Sequence, residues 1–172
     1  HDLIASDHPL FAGRPGTIGT RAGNFCTQNA DFVLVIGSRL NIRQVSYNWQ
    51  AFAPRAFKIQ VDIDPAELGK PTVRPDLGVQ ADLKEFLAAL DRGLATWSPS
   101  PDHLAWLSWC RERVAGYPVV LPSQREFKGK INPYHFVEEL FARLDGNDII
   151  ACGNATATIV PFQAGTTKPG MR

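Results

Sequence analysis

The chain has 172 residues, 44% of them hydrophobic and 20% charged, and its 18 Lys and Arg nearly balance 17 Asp and Glu. That apolar share, with four Trp, supplies a core for one domain or somewhat more. No basic block is present, so electrostatics points neither to nucleic acid nor to an anionic membrane. No apolar run approaches the roughly 18–20 residues of a membrane span.

Residues 1–21 read as loop, with Gly13, Gly16 and Gly19 at three-residue spacing. Glycine permits positive φ and close approach of backbone to a ligand, but the spacing is not the G-x-G-x-x-G of a dinucleotide fold. A short helix over 22–29 then leads into Phe32 to Ile36, an unbroken apolar run that stops at Gly37. A polar turn, Ser38-Arg39-Leu40-Asn41, follows, and a helix-length crossover over 42–53 reaches a second run, Phe57 to Val61. Runs of this kind suit parallel strands covered on both faces, joined as a right-handed βαβ unit. Ligands of open α/β sheets bind beyond the carboxyl ends of the strands. Gly37-Ser38-Arg39 and Asp62-Ile63-Asp64 both fall at such ends.

Asp64-Pro65-Ala66-Glu67 predicts a helix start, with Asp64 as cap, Pro65 first in the helix and Glu67 closing a capping box. Gly69 and Pro71 stop that helix. Leu77 to Gln80 reads as a third strand, and Asp82 caps a helix to about Arg92 with Leu83, Phe86, Leu87 and Leu90 on one face. After a Pro-rich break, a helix runs from about 103 to 115. Residues 116–130 read as an extended linker. Asn132-Pro133 opens an amphipathic helix ended by Gly146, and a short strand from Asp148 to Cys152 leads to the turn Gly153-Asn154-Ala155-Thr156, where a next helix starting would turn backbone N–H groups towards an anion. This tail is expected to be the least stable part, because its apolar helix face needs a partner sheet.

Cys26, Cys110 and Cys152 are far apart and lack C-x-x-C spacing, so they read as free buried thiols in a reducing cytoplasm. The four histidines form no metal-ligand spacing, and no metal site is expected within these residues. The chain starts at His1 without Met and shows no signal peptide, which reads as a piece of something longer.

The succession GTIGTRAGN, NADFVLVIGSRL, IQVDIDPAELGK and VQADLKEFLAAL, followed by INPYHFVEELFARLDGNDIIACGNATATIVPFQA, resembles the thiamine diphosphate-dependent enzymes of the acetolactate synthase large-subunit type. The resemblance implies an α/β, Rossmann-like parallel sheet flanked by helices over residues 1–100, the family's central domain without its first strands. A helix and linker over 101–130 and the start of the diphosphate-binding domain over 131–172 would follow. It implies a transferase or lyase that decarboxylates a 2-oxo acid and ligates the product to a second carbonyl. Thiamine diphosphate and Mg2+ would serve the full-length enzyme, with FAD or ADP in the central domain. The full-length protein would be a cytoplasmic homodimer or homotetramer, with neither nucleic acid nor membrane as partner. The family's catalytic glutamate and its metal motif fall outside the chain, so no catalytic or metal residue is expected here and these residues alone should be inactive.

Carried over by motif, Gly16 and Gly19 would approach the flavin or the diphosphate, while Gly37, Ser38 and Arg39 would bind diphosphate and ribose. Asp62, Ile63 and Asp64 would face the adenosine, with Ala81, Asp82 and Leu83 beside the adenine or flavin. Gly153, Asn154 and Ala155 would contact the phosphates of thiamine diphosphate. After the arginine this chain has Leu40-Asn41-Ile42-Arg43 where synthases commonly have a phenylalanine and aspartates. Two other readings stay open: another decarboxylase of 2-oxo acids or of the oxalyl-CoA type on the same scaffold, and a non-catalytic nucleotide-binding or structural α/β module.

Overall fold

The computed structural model describes residues 3–126 and 129–172. They form two compact units, one of Phe25–Ser108 and one of His1–Asn24 with Trp109–Arg172.

The first unit is built on three parallel strands in the order β1-β2-β3: β1 (Phe32–Ile36), β2 (Phe57–Asp62) and β3 (Leu77–Gln80). Their register sets Val35 beside Gln60 and Gln60 beside Gly78. Successive side chains alternate faces, so Val33, Val35, Lys58, Gln60 and Asp62 share one face. Against Val35 packs a core of Leu40, Val45, Phe52, Ala53, Ala56 and Val73. On the opposite face Val61 is fully buried, but Phe32 and Phe57, paired at the amino end, are each 51% exposed. The expected cover on both faces therefore holds for one face and only for the carboxyl half of the other. None of the residues of α4 (Leu83–Gly93) is buried.

The β1–β2 crossover corrects the expected long helix. It is α2 (Ile42–Val45), one turn capped by the Asn41 side chain, followed by a 3-10 turn at Trp49–Ala51. Ser46 at φ +62 ends α2, and Leu40 and Ala53 also carry positive φ. Bulky or β-carbon-bearing residues rarely adopt this region, which is why the pattern read as continuous. In α3 (Pro65–Gly69) Asp64 caps the helix by accepting the Ala66 N–H at 2.9 Å. Asp82 does the same for α4 through the Lys84 N–H at 2.8 Å. The expected Glu67 capping box does not form, because that carboxylate is drawn to two cations instead.

In the second unit, α7 (Pro133–Arg143) and α8 (Thr156–Ala164) meet over Val120, Val137, Phe141, Val160, Ala164 and Met171. Tyr134 Oη donates to Gln163 Oε1 at 2.6 Å, joining the two helices. The apolar face of α7 thus finds a helix rather than a sheet as partner. Helix α7 stops at Arg143 with Leu144 as its C-cap, before Gly146. The expected linker holds a helical turn, α6 (Pro122–Arg125), and Val119 and Val120 belong to this core; residues 127 and 128 of the linker lie outside the described residues. The expected strand at 148–152 is not one. Its backbone bonds to the segment at Arg172, where Ile150 N donates at 2.6 Å and Asp148 O accepts at 3.1 Å, and the Asp148 N–H turns back to the Asp145 carbonyl at 3.2 Å.

The remaining helices are α1 (Arg21–Asn29) and α5 (Pro101–Gly116). The three cysteines are free, but only Cys110 is buried, and Cys152 is exposed against expectation. Among the described residues no helix is long and apolar enough to cross a membrane.

Candidate functional site at the carboxyl edge of the sheet

Three parallel strands deliver three short turns to one edge. Gly37 sits at φ +58, and its N–H donates to the Val61 carbonyl at 2.9 Å. A β-carbon there would stand 2.4 Å from the Leu83 Cδ1, so the start of α4 closes over this turn. Beyond β3, the Ala81 N–H donates to the Asp62 carbonyl at 3.1 Å. The turns after β1, β2 and β3 are therefore tied to one another through the backbone.

The side chains at this edge are largely committed to local structure. The Ser38 hydroxyl and the Gln44 amide bond each other, at 2.9 Å to Oε1 and 2.6 Å from Nε2. Buried Asp62 accepts the Asp64 N–H on Oδ1 at 3.0 Å. Asp64 and Asp82 are occupied as caps. Ile63 is exposed, and its carbonyl accepts from Gln80 Nε2 at 3.4 Å.

Arg39 is the one residue of the expected set that lines a cavity of about 390 Å³, together with Asn41, Trp49, Glu67, Lys70 and Thr72 among others. Its Nε and Nη2 both donate to Glu67 Oε1, at 2.7 and 2.5 Å. Lys70 Nζ donates to Glu67 Oε2 at 2.9 Å and to the carbonyl of Arg39. Glu67 is 13% exposed and Arg39 69%. The hydrogen bond from Lys70, then that from Arg39, holds the Glu67 carboxyl below the usual carboxylate range. The same contact with Glu67 raises Arg39 further. Two cations against one carboxylate leave the cavity wall net positive. Glu67, Lys70, Trp49 and Thr72 were missed in the sequence. Lys70, three residues after Glu67, was the available signal, because that spacing places both on one side of a helix.

The other candidates lie in the second unit. Gly16 and Gly19 form a closed turn: the Asn24 carboxamide accepts the Gly16 N–H at 2.8 Å and donates to the Gly16 carbonyl at 3.0 Å. The Gly19 N–H donates to the Gly16 carbonyl at 3.0 Å, and a β-carbon on Gly19 would meet the Arg14 carbonyl oxygen at 2.3 Å. Their close approach is to the chain's own backbone. Gly153, Asn154 and Ala155 precede α8, with Ala155 as its N-cap at φ +55 and no side chain capping the helix. Nothing stands within 4 Å of where a Gly153 β-carbon would be. An uncapped helix start with open space before it has the donors and the dipole that suit a phosphate. Among the described residues no group of three or more His, Cys, Asp or Glu could hold a metal ion.

Comparison with known proteins gives this geometry a setting. Residues 1–90 match the family model described as thiamine pyrophosphate enzyme, central domain. A probable acetolactate synthase 2, chloroplastic, from Oryza sativa subsp. japonica is 33% identical over 153 residues, covering 86% of this chain and 22% of the relative. A probable acetolactate synthase large subunit from Methanocaldococcus jannaschii is 36% identical over 143 residues, 83% of this chain and 23% of its own length. The acetolactate synthase isozyme 1 large subunit of Escherichia coli K12 is 41% identical over 88 residues, 51% of this chain and 15% of the relative. The chain thus spans less than a quarter of the length of these relatives.

Proposed function

We propose, on the premise that the chain belongs to the thiamine pyrophosphate enzymes through their central domain, that it is part of an acetolactate synthase-like enzyme and contributes a nucleotide-binding edge to it. The whole enzyme would decarboxylate a 2-oxo acid and join the product to a second carbonyl. It would act as a homodimer or homotetramer, with the cytoplasm as its compartment. Residues 1–100 would be the central domain, 101–130 a helix and linker, and 131–172 the opening of the diphosphate-binding domain.

The observation that carries this reading is the gathering of Gly37-Ser38-Arg39, Asp62-Ile63-Asp64 and Ala81-Asp82 at one edge of a parallel sheet, beside a net positive cavity. That cavity lies at the small end of the usual range for ligand sites. It suits the diphosphate of ADP or the adenylate end of FAD. Arg39 and Lys70 would hold the phosphates, with Glu67 keeping both side chains in place. Gly37 would let α4 close over the turn, and the Asp62 carboxylate, still able to accept, would take a ribose hydroxyl.

Thiamine diphosphate, when bound, supplies the electron sink for decarboxylation. The residues of this chain that fit it are Gly153, Asn154 and Ala155, whose turn opens the uncapped start of α8. They would orient its phosphates. No described cluster suits Mg2+, so no role is assigned to these residues in holding it.

The test is a thermal shift of the chain with ADP, FAD and thiamine diphosphate in separate wells. A nucleotide at about 100 times its Kd should raise stability by about 2.7 kcal/mol. The shift with ADP or FAD should vanish in Arg39→Ala/Lys70→Ala. No shift with either nucleotide, in this chain and in the full-length protein, refutes the nucleotide edge. Failure of the full-length protein to form an acetolactate from pyruvate refutes the synthase reading.

A further inference from the structure

We propose that Glu67 is the internal counter-ion of the nucleotide edge, an anion that a ligand phosphate must displace before Arg39 and Lys70 can hold it. This rests on the nucleotide reading and adds how the site is filled and what it selects. Both carboxylate oxygens of Glu67 are committed to the cations of the cavity wall. Oε1 accepts from Arg39 Nε at 2.7 Å and Nη2 at 2.5 Å, and Oε2 accepts from Lys70 Nζ at 2.9 Å. An ammonium has three hydrogens. The other two of Lys70 go to the carbonyls of Arg39 and Leu40, the latter at 3.4 Å. The Nε–Nη2 side of Arg39 is a fork that matches a carboxylate or a phosphate, and Glu67 fills it. A phosphate arriving here finds its place taken by a carboxylate of the chain.

The exchange is an easy one. Arg39 is mostly exposed, so its pair with Glu67 is a surface ion pair, and such pairs contribute little to stability. Glu67 keeps both cations in place while the cavity is empty, but Lys70 does not depend on it. The carbonyls of Arg39 and Leu40 keep the ammonium at the wall when the carboxylate turns away. All three side chains line the same cavity, so the exchange takes place at its wall. With the carboxylate in place the trio carries one net positive charge, and without it two. A unit charge about 4 Å away changes the binding of another by about fivefold in water-like surroundings, and by more in a sheltered cavity. A carboxylate kept in the site therefore weakens every phosphate ligand and leaves an uncharged one unaffected. A ligand with one negative charge only replaces what it displaces. A diphosphate brings more charge than the carboxylate takes away, so Glu67 filters for it.

The test is isothermal titration of the chain and of Glu67→Gln with ADP and with adenosine, at constant ionic strength. Glu67→Met, of similar length and without a carboxyl group, takes the place of Glu67→Gln if circular dichroism shows that variant unfolded. The variant should bind ADP at least about fivefold more tightly than the parent, with adenosine unchanged. ADP binding that is equal or weaker in the folded variant, and intact in the parent, would overturn this inference and leave the nucleotide edge standing, because Glu67 would then only support the two cations. An equal gain for adenosine would also overturn it, since the effect would not be one of charge. ADP binding to neither the parent nor the variant would overturn the inference together with the nucleotide reading.

Discussion

Gln60 lies at the centre of the sheet with both neighbouring strands paired to it, and none of its surface is exposed. Neither its Oε1 nor its Nε2 has a hydrogen-bond partner among the described residues. A buried polar group without a partner costs about 1–3 kcal/mol, and replacing it by an apolar group of the same shape removes that cost. Methionine has nearly the length of glutamine and fits irregular gaps. Gln60→Met should therefore stabilise the chain by about 1–3 kcal/mol. With a urea slope of about 1–3 kcal/mol per molar, the midpoint should rise by about 1 M. Gln60→Ala removes the same amide but leaves a hole beside Val35, so it should stabilise less or not at all. The assay is equilibrium urea unfolding followed by tryptophan fluorescence, with slopes compared between variants. A midpoint for Gln60→Met at or below that of the parent, at unchanged slope, would refute the reasoning, because the amide would then be contributing to the fold.

Three further predictions concern the edge and the second core. Gly37→Ala forces a β-carbon into left-handed backbone at φ +58 and to 2.4 Å from Leu83 Cδ1, so it should cost more than the backbone alone, about 1–2 kcal/mol; a loss below about 1 kcal/mol in urea unfolding would count against both causes. Glu67 has its folded pKa depressed by Lys70 and Arg39, so its contribution is complete above the unfolded value of about 4.3 and is lost as pH falls through the lower folded value. Urea midpoints from pH 7 to pH 3 should fall less steeply in Glu67→Gln than in the parent, and parallel curves would contradict the pairing. Phe141, buried between α7 and α8 with its ring against Gly165, should cost about 3–5 kcal/mol when changed to Ala; the check is hydrogen exchange across 133–164, which should lose protection there while β1 to β3 keep theirs.

The strands and caps were legible because each rested on a local cause. Phe32 to Ile36 and Phe57 to Val61 are apolar runs bounded by turns, and Asp64 and Asp82 bond amides two residues on. The crossover was not legible, because Ser46 and Ala53 take positive φ without a glycine to announce it. Ile149 and Ile150 read as strand from composition, but a strand needs a neighbour, and pairing is not a local property. At the site, Arg39 was placed by its position after β1. Glu67 was assigned to its own helix start, whereas it reaches 28 residues back along the chain to that arginine. Gly16 and Gly19 turn on the chain's own backbone, and the Asn24 carboxamide bonds the N–H and carbonyl of Gly16, a contact that the glycine spacing does not announce.

The three-stranded sheet has a practical consequence for anyone handling this chain. Among the described residues β1 and β3 each pair on one side only, so both margins of the sheet offer ladder positions to another molecule. Beside one of them stand the half-exposed rings of Phe32 and Phe57. A net charge of +1 at pH 7 gives almost no colloidal repulsion to oppose such contacts. Protein concentration, more than temperature, should therefore set its shelf life in solution, and a lysine at Phe32 would be the first change to make for a preparation that must be concentrated.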